Sequence, residues 1–211
     1  MFGEEIEERP IPELTEEDKR TALKIARYSL ESVVFDNTKP SPQEIAVIFD
    51  LSERLKHKAG VFVTIKSGRG LDTPKEIRGC IGYIVGVKPV YVGILDHAYS
   101  ASRRDDRYTP VCAQEMNKIC ITLSVMSPLM PCKAEDVVVG RDGLVLFYED
   151  KMGVYLPQIP IENGWDKPKF LEELCIKAGV STDKWKDEKA ILFRFTAQVF
   201  SEDHYPELYK D

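Results

Sequence analysis

From Lys118 to Met126 the chain reads KICITLSVM. Ile119, Ile121, Leu123 and Val125 fall on one face of an extended chain, and Cys120, Thr122 and Ser124 fall on the other. Only a strand puts alternate residues on opposite faces, so this stretch demands a sheet with an apolar side to cover. AILFRFTAQVF (190–200) reads as a second, longer alternating strand. VFVTIKS (61–67) is rich in β-branched residues, and the segment at about 76–85 follows a turn-rich loop, SGRGLDTP. These two are expected to form a hairpin with a long connection. RDGLVLFYED (141–150) and MGVYLPQI (152–159) read as another strand pair.

Helical spacing alternates with these strands. Thr15 suits a helix N-cap, and Glu16, Glu17 and Asp18 suit the positive end of a helix dipole. Ala22, Ile25, Ala26, Ser29 and Val33 then mark an amphipathic helix over about 16–35, which Pro40 and Pro42 keep from continuing. Residues 43–58 read as helix or irregular chain. Tyr91, Ile94, Leu95, Ala98 and Ala101 mark a helix ending near Asp105. Phe170, Leu171, Leu174, Cys175 and Ala178 mark another over about 167–178, with Gly179 as its stop and Asp166 as its N-cap. Strands and helices without strict alternation predict an α+β fold with a largely antiparallel sheet flanked by helices.

The net charge of −6 argues against bulk attraction to nucleic acid or to an anionic membrane. No apolar run approaches the roughly 20 residues that cross a bilayer. MFGEEIEERP is acidic and lacks an apolar signal core, so a cytoplasmic protein is expected. Five widely spaced cysteines without a C-x-x-C speak against a disulfide scaffold or a zinc ribbon. His57, His97 and His204 are scattered and show no metal-ligand spacing. Neither G-x-x-x-x-G-K nor G-x-G-x-x-G occurs, so no metal and no nucleotide cofactor is called for.

The stretch Ile77-Arg78-Gly79-Cys80-Ile81-Gly82 holds the most suggestive chemistry. In a regular strand Arg78 and Cys80 share a face, roughly 6.5–7 Å apart. A nearby guanidinium favours the thiolate, which is the nucleophilic form. Gly79 and Gly82 suggest a bulge or a close backbone approach. The same residues also suit a tight strand crossing with a small buried cysteine. Asp106 and Arg107, in RRDDRY, either belong to ordinary helix-end chemistry or reach the site of Arg78. LPQIP is expected to be stiff and extended, holding the Gln158 amide as donor and acceptor. Trp165 reads as a packing anchor. A Cys80–His97 dyad would require the two elements to face each other.

Taken in order, these motifs are recognisable. IRGCIG resembles the L-R-G-C-I-G signature of the AMMECR family, proteins named after the AMME syndrome chromosomal region. Asp106-Arg107-Tyr108-Thr109-Pro110 resembles that family's D-P-R-F-x-P, although Asp106 precedes Arg107 directly where the family pattern has an intervening proline. The likeness continues through Leu123 to Pro128, Val139 to Leu144, Leu156-Pro157-Gln158, Gly164-Trp165-Asp166, Phe170-Leu171 and Cys175-x-Lys177-Ala178-Gly179. It covers about residues 20–202.

The resemblance implies a larger and a smaller lobe with the signature near a cleft between them. Residues 15–202 would form that domain, after an extended acidic lead-in (1–14) and before a polar tail (203–211). It further implies a pathway link to Memo-like and radical-SAM proteins. The family's biochemical activity is not established, so two readings stand. In one, the signature recognises a small molecule or a protein, and Cys80 only packs. In the other, Cys80 is the nucleophile of an enzyme, Arg78 steadies its thiolate or an anionic substrate, and Asp106 or Arg107 with Gln158 completes the site. The lack of an evident general base favours the binding reading.

Overall fold

The computed structural model describes residues 13–209. The lead-in therefore lies almost wholly outside the described residues. In chain order the elements are α1 (Glu16–Phe35), α2 (Pro42–Ile48), α3 (Glu53–Lys56), β1 (Gly60–Ser67), β2 (Ile77–Tyr83), α4 (Val90–Arg103), β3 (Ile119–Met126) and β4 (Met130–Pro131). They continue with β5 (Gly143–Tyr148), β6 (Lys151–Tyr155), α5 (Ile159–Glu162), α6 (Lys167–Lys177), β7 (Ile191–Phe195) and β8 (Ala197–Ser201). The fold is α+β, with two four-stranded antiparallel sheets. The chain divides into a larger unit, up to Met126 and again from Gln198, and a smaller one, Ser127–Ala197.

The larger unit has the sheet order β2-β1-β3-β8. β1 runs antiparallel to both β2 and β3. Val61, Val63 and Ile65 of β1 join Ile119, Ile121, Leu123 and Val125 of β3 in one buried cluster. Ala22, Ile25 and Ala26 of α1 and Ile94, Leu95 and Ala98 of α4 complete it. Each fully buried Leu or Ile there contributes about 1.5–3 kcal/mol. Thr15 caps α1 in a reciprocal box with Asp18, as its side chain requires.

The smaller unit has the order β4-β7-β5-β6. Phe170, Leu171, Leu174 and Cys175 of α6 pack against Leu144 and Leu146 of β5. Asp166 caps α6 by accepting from the Lys169 N–H. Gly179 ends the helix with φ at 74°, a conformation that favours glycine. Trp165 packs edge-on against Tyr155 with ring centroids 5.4 Å apart, as a packing anchor should.

The structure differs from the sequence reading at two places. The long strand 190–200 breaks at Thr196, and its halves, β7 and β8, belong to different sheets. Ser127 takes both backbone groups of Thr196: its hydroxyl accepts from the Thr196 N–H at 2.9 Å, and its own N–H donates to the Thr196 carbonyl at 2.9 Å. Those groups are lost to any sheet ladder. Second, the strand expected over 152–159 stops at Tyr155. Gln158 is helical (φ −75°, ψ −24°) and opens α5, because Pro160 suits a first helical turn.

Cys120 and Ser124, on the other face of β3, are buried as well. Cys120 Sγ lies 3.0 Å from Ser201 Oγ. The described part of the polar tail is anchored. Asp203 and Tyr205 are buried, and Asp203 accepts from the Gly70 N–H at 2.7 Å, the Tyr209 hydroxyl at 2.6 Å and the Lys75 ammonium. Burial alone would push the Asp203 carboxyl up. The bonds from Lys75, Tyr209 and Gly70 outweigh it and hold the group at about 2.

Candidate functional site

β2 stands at the outer edge of its sheet, so one side of its backbone has no strand partner. The signature residues occupy this strand. Gly79 faces α4 at very close range: a Cβ there would lie 2.1 Å from the Ala101 carbonyl oxygen. Cys80 consequently points to the opposite face, where it stands in register with Thr64, and Thr64 stands in register with Thr122. Cys80 Sγ and Thr64 Oγ1 are 3.2 Å apart. All three side chains are half-buried. At the inner end of this row, Thr122 also lines a pocket of about 240 Å³ with Lys66, Lys75, Phe200 and Asp203.

The ladder slips beside the arginine. Ile65 pairs with Gly79 and Lys66 pairs with Ile77, which leaves Arg78 as the extra residue of a bulge. The regular alternation that would set Arg78 beside Cys80 is thereby broken, and Ile77 is left 45% exposed instead of sharing the core face with Ile81. Arg78 turns to Glu115, donating from Nε at 2.7 Å and Nη2 at 3.1 Å, and reaches the Thr109 carbonyl at 3.3 Å. These Arg78 bonds, with support from the Cys112 N–H, hold the Glu115 carboxyl at about 2 against the upward push of burial.

The open edge of β2 is closed by side chains. Asp105 Oδ2 accepts from the Cys80 N–H at 2.8 Å, and Arg107 Nη2 donates to the Cys80 carbonyl at 2.8 Å. Asp105 also receives Arg107 Nε at 2.8 Å and Nη2 at 2.7 Å. The pair thus stands in for one residue of a neighbouring strand. Arg107 foremost, together with the Cys80 N–H, holds the buried Asp105 carboxyl below its ordinary range despite desolvation. Asp106, named from the sequence, is exposed, and its neighbour Asp105 makes the pairing. Acid and arginine are therefore two residues apart, with Asp106 at the intervening position of the D-P-R pattern.

The remaining expected residues separate. Gly82 serves packing, since a Cβ there would lie 2.3 Å from the Val61 carbonyl oxygen and 2.4 Å from the Phe62 ring. Gln158 belongs to the smaller unit. Its Oε1 is the one buried side-chain oxygen or nitrogen without a hydrogen-bond partner among the described residues. His97 is on the α4 side of the sheet, edge-on to Tyr83 at 4.8 Å, so the sheet stands between it and the Cys80 side chain and no dyad forms. Sequence reasoning missed Asp105, Glu115 and Thr64. Only Asp105 had a signal, its spacing from Arg107.

Comparison with known proteins settles the kinship. The model of the family described as AMMECR1 matches residues 23–200. The chain belongs to the AMMECR1 family. Among relatives of similar length, Protein MJ0810 of Methanocaldococcus jannaschii is 34% identical over 196 residues, covering 90% of this chain and 92% of that protein. A protein of Methanocella arvoryzae is 34% identical over 197 residues, covering 90% and 93%. The crystal structure of the uncharacterized protein PH0010 from Pyrococcus horikoshii is similar with a TM-score of 0.80 at 31% identity, covering 90% of this chain and 94% of that one.

For this AMMECR1-family chain, the signature does two kinds of work. Its glycines admit α4 and β1 at close range, and its flanking charges seal a sheet edge. Both arginines near the thiol are already matched by carboxylates. What stays available is a row of hydrogen-bonding side chains, Cys80, Thr64 and Thr122, leading to a small pocket. Among the described residues no group of three or more His, Cys, Asp or Glu is placed to hold a metal ion, and no helix is long and apolar enough to cross a membrane.

Proposed function

We propose that this protein is a cytoplasmic binding or regulatory module that recognises a small molecule, or a segment of a partner protein, along the Cys80–Thr64–Thr122 row. The observation that carries this reading is the saturation of Arg78 by Glu115 and of Arg107 by Asp105. A cation so occupied is a poor activator of a thiolate. The row itself supports recognition: it offers donors and acceptors on half-buried side chains beside a pocket of about 240 Å³, room for a small polar group rather than a whole cofactor. Memo-like and radical-SAM proteins remain the proposed pathway neighbours, on family association.

Native mass spectrometry after incubation with a low-molecular-weight cell extract tests the reading. Wild type is expected to retain a non-covalent ligand that Cys80→Ser also retains and that Thr64→Val or Thr122→Val loses. A covalent adduct on Cys80 that disappears in Cys80→Ser would instead establish the cysteine-enzyme reading. A ligand held equally by Thr64→Val and Thr122→Val would move the site off this row. In the protein-partner form of the reading, the same two valine variants lose capture of the partner.

A further inference from the structure

Helix α4 carries a second chemical surface, away from the signature. Asp96 and Ser100, four residues apart, share one face of the helix, and Arg104 follows directly after its last residue. Lys39, from the connection before α2, and Lys88, from the connection before α4, both reach the Asp96 carboxylate. Arg104 lies over the Tyr99 ring at 4.9 Å, and Lys39 over the same ring at 5.6 Å. Together they border a pocket of about 520 Å³, within the range of small-ligand sites. Three cations face one carboxylate there, so the wall carries a net charge near two positive units in a protein that is acidic as a whole.

Lysines sharing an aspartate would by themselves be an ordinary surface network, since Lys39 and Lys88 are substantially exposed. His97 adds a neutral polar group to this charged wall. Its residue is only 5% exposed, it lines the pocket, and its ring makes no hydrogen bond among the described residues. Its ring nitrogens are accessible from the pocket, where a ligand can pair with them. Tyr83 packs edge-on against the imidazole and fixes its place in the wall. Burial foremost keeps the imidazole pKa low, which leaves a neutral ring with one donor and one acceptor.

We propose that this pocket binds a small phosphate monoester in its dianionic form, held by Lys39, Lys88 and Arg104 and hydrogen-bonded by His97. A phosphate monoester carries about −1.5 to −2 charges near pH 7, which complements the surplus on the wall, whereas a carboxylate neutralises only part of it. Its oxygens accept charge-assisted hydrogen bonds from ammonium and guanidinium groups. Asp96 keeps the two lysines in place before the ligand arrives. The Tyr83 and Tyr99 rings provide apolar surface for the organic part of the ester.

Calorimetric titration with phenyl phosphate and glycerol 3-phosphate, against phenyl sulfate and benzoate as monoanions of similar shape, tests the site. The phosphates are expected to bind and the monoanions to bind at least about tenfold more weakly. Lys39→Ala and Lys88→Ala, both at exposed positions, should each weaken phosphate binding about tenfold or more with the melting temperature unchanged. In two-dimensional NMR the His97 ring signals should move on adding phenyl phosphate. Thr122→Val should leave all of this unaltered, which separates this site from the Cys80–Thr64–Thr122 row. The assignment is overturned if the monoanions bind as well as the phosphates, if neither lysine variant weakens binding, or if the His97 signals stay fixed.

Discussion

Arg78 and Glu115 meet as a two-pronged pair, guanidinium Nε and Nη2 on the two carboxylate oxygens at 2.7 and 3.1 Å. The cation that the sequence sets two residues from a thiol is spent on holding the loop before β3. Glu115→Gln is expected to cost about 1–2 kcal/mol at neutral pH. The sign of the pH dependence follows from the carboxyl, which falls from 4.5 to about 2 on folding. Its contribution is complete above pH 4.5 and disappears as pH drops through about 2, because the unfolded chain binds the proton first. Denaturant melts of wild type and Glu115→Gln should therefore differ at pH 7 and converge toward pH 2. A gap that stays constant across that window would remove the ion pair as its source.

Gly79→Ala probes the contact between strand and helix. The added Cβ would meet the Ala101 carbonyl oxygen at 2.1 Å, and a helix backbone has little freedom to retreat. Overpacking of this kind costs about 1–3 kcal/mol, and the upper end is expected here. Chemical denaturation measures it directly. A loss below the range would mean that α4 shifts without resistance.

Asp105→Asn tests the edge seal. Asparagine keeps the size but loses the charge that binds Arg107 and accepts from the Cys80 amide. A stability loss of about 1–3 kcal/mol is expected. The more diagnostic readout is amide exchange: Cys80 should exchange faster, while the central strand residue Val63 keeps its protection. Equal acceleration at both would indicate global loosening instead.

The thiols should label in an order set by exposure. Cys112 is exposed and is expected to react first. Cys80, half-buried against Thr64, should follow more slowly. Cys132 is half-buried, and desolvation pushes its thiol up to about 11, so it reacts later still. Cys120 and Cys175 are buried, with thiols pushed up by desolvation, and should react only on unfolding. Time-resolved alkylation with peptide mass spectrometry reads the order. Cys80 leading at pH 7 and holding its rate below that pH would revive the nucleophile reading.

Much of the local structure was legible in the residues themselves. Thr15 and Asp166 are short polar side chains that take up orphan N–H groups, and both cap helices. Gly179 stops α6 because only a residue tolerant of positive φ can end a helix that way. Alternation located β3 to within a residue. These features depend on neighbours within a few positions, so they are written in short windows of sequence.

The site was less legible, because its decisive contacts are not local. Cys80 meets Asp105 across 25 positions, and Arg78 meets Glu115 across 37. Nothing in the spacing of IRGCIG says that β2 is an edge strand, or that a bulge turns Arg78 away from the thiol. The run 190–200 alternates without interruption, yet Ser127 claims the backbone of Thr196 and divides it between two sheets. Periodicity determined which residues form strands and helices, since side-chain direction follows from backbone geometry alone. Tertiary structure decided which strand is at the edge, where the ladder slips and which charges are already paired, since those depend on hydrogen-bond partners that the chain brings together only when folded.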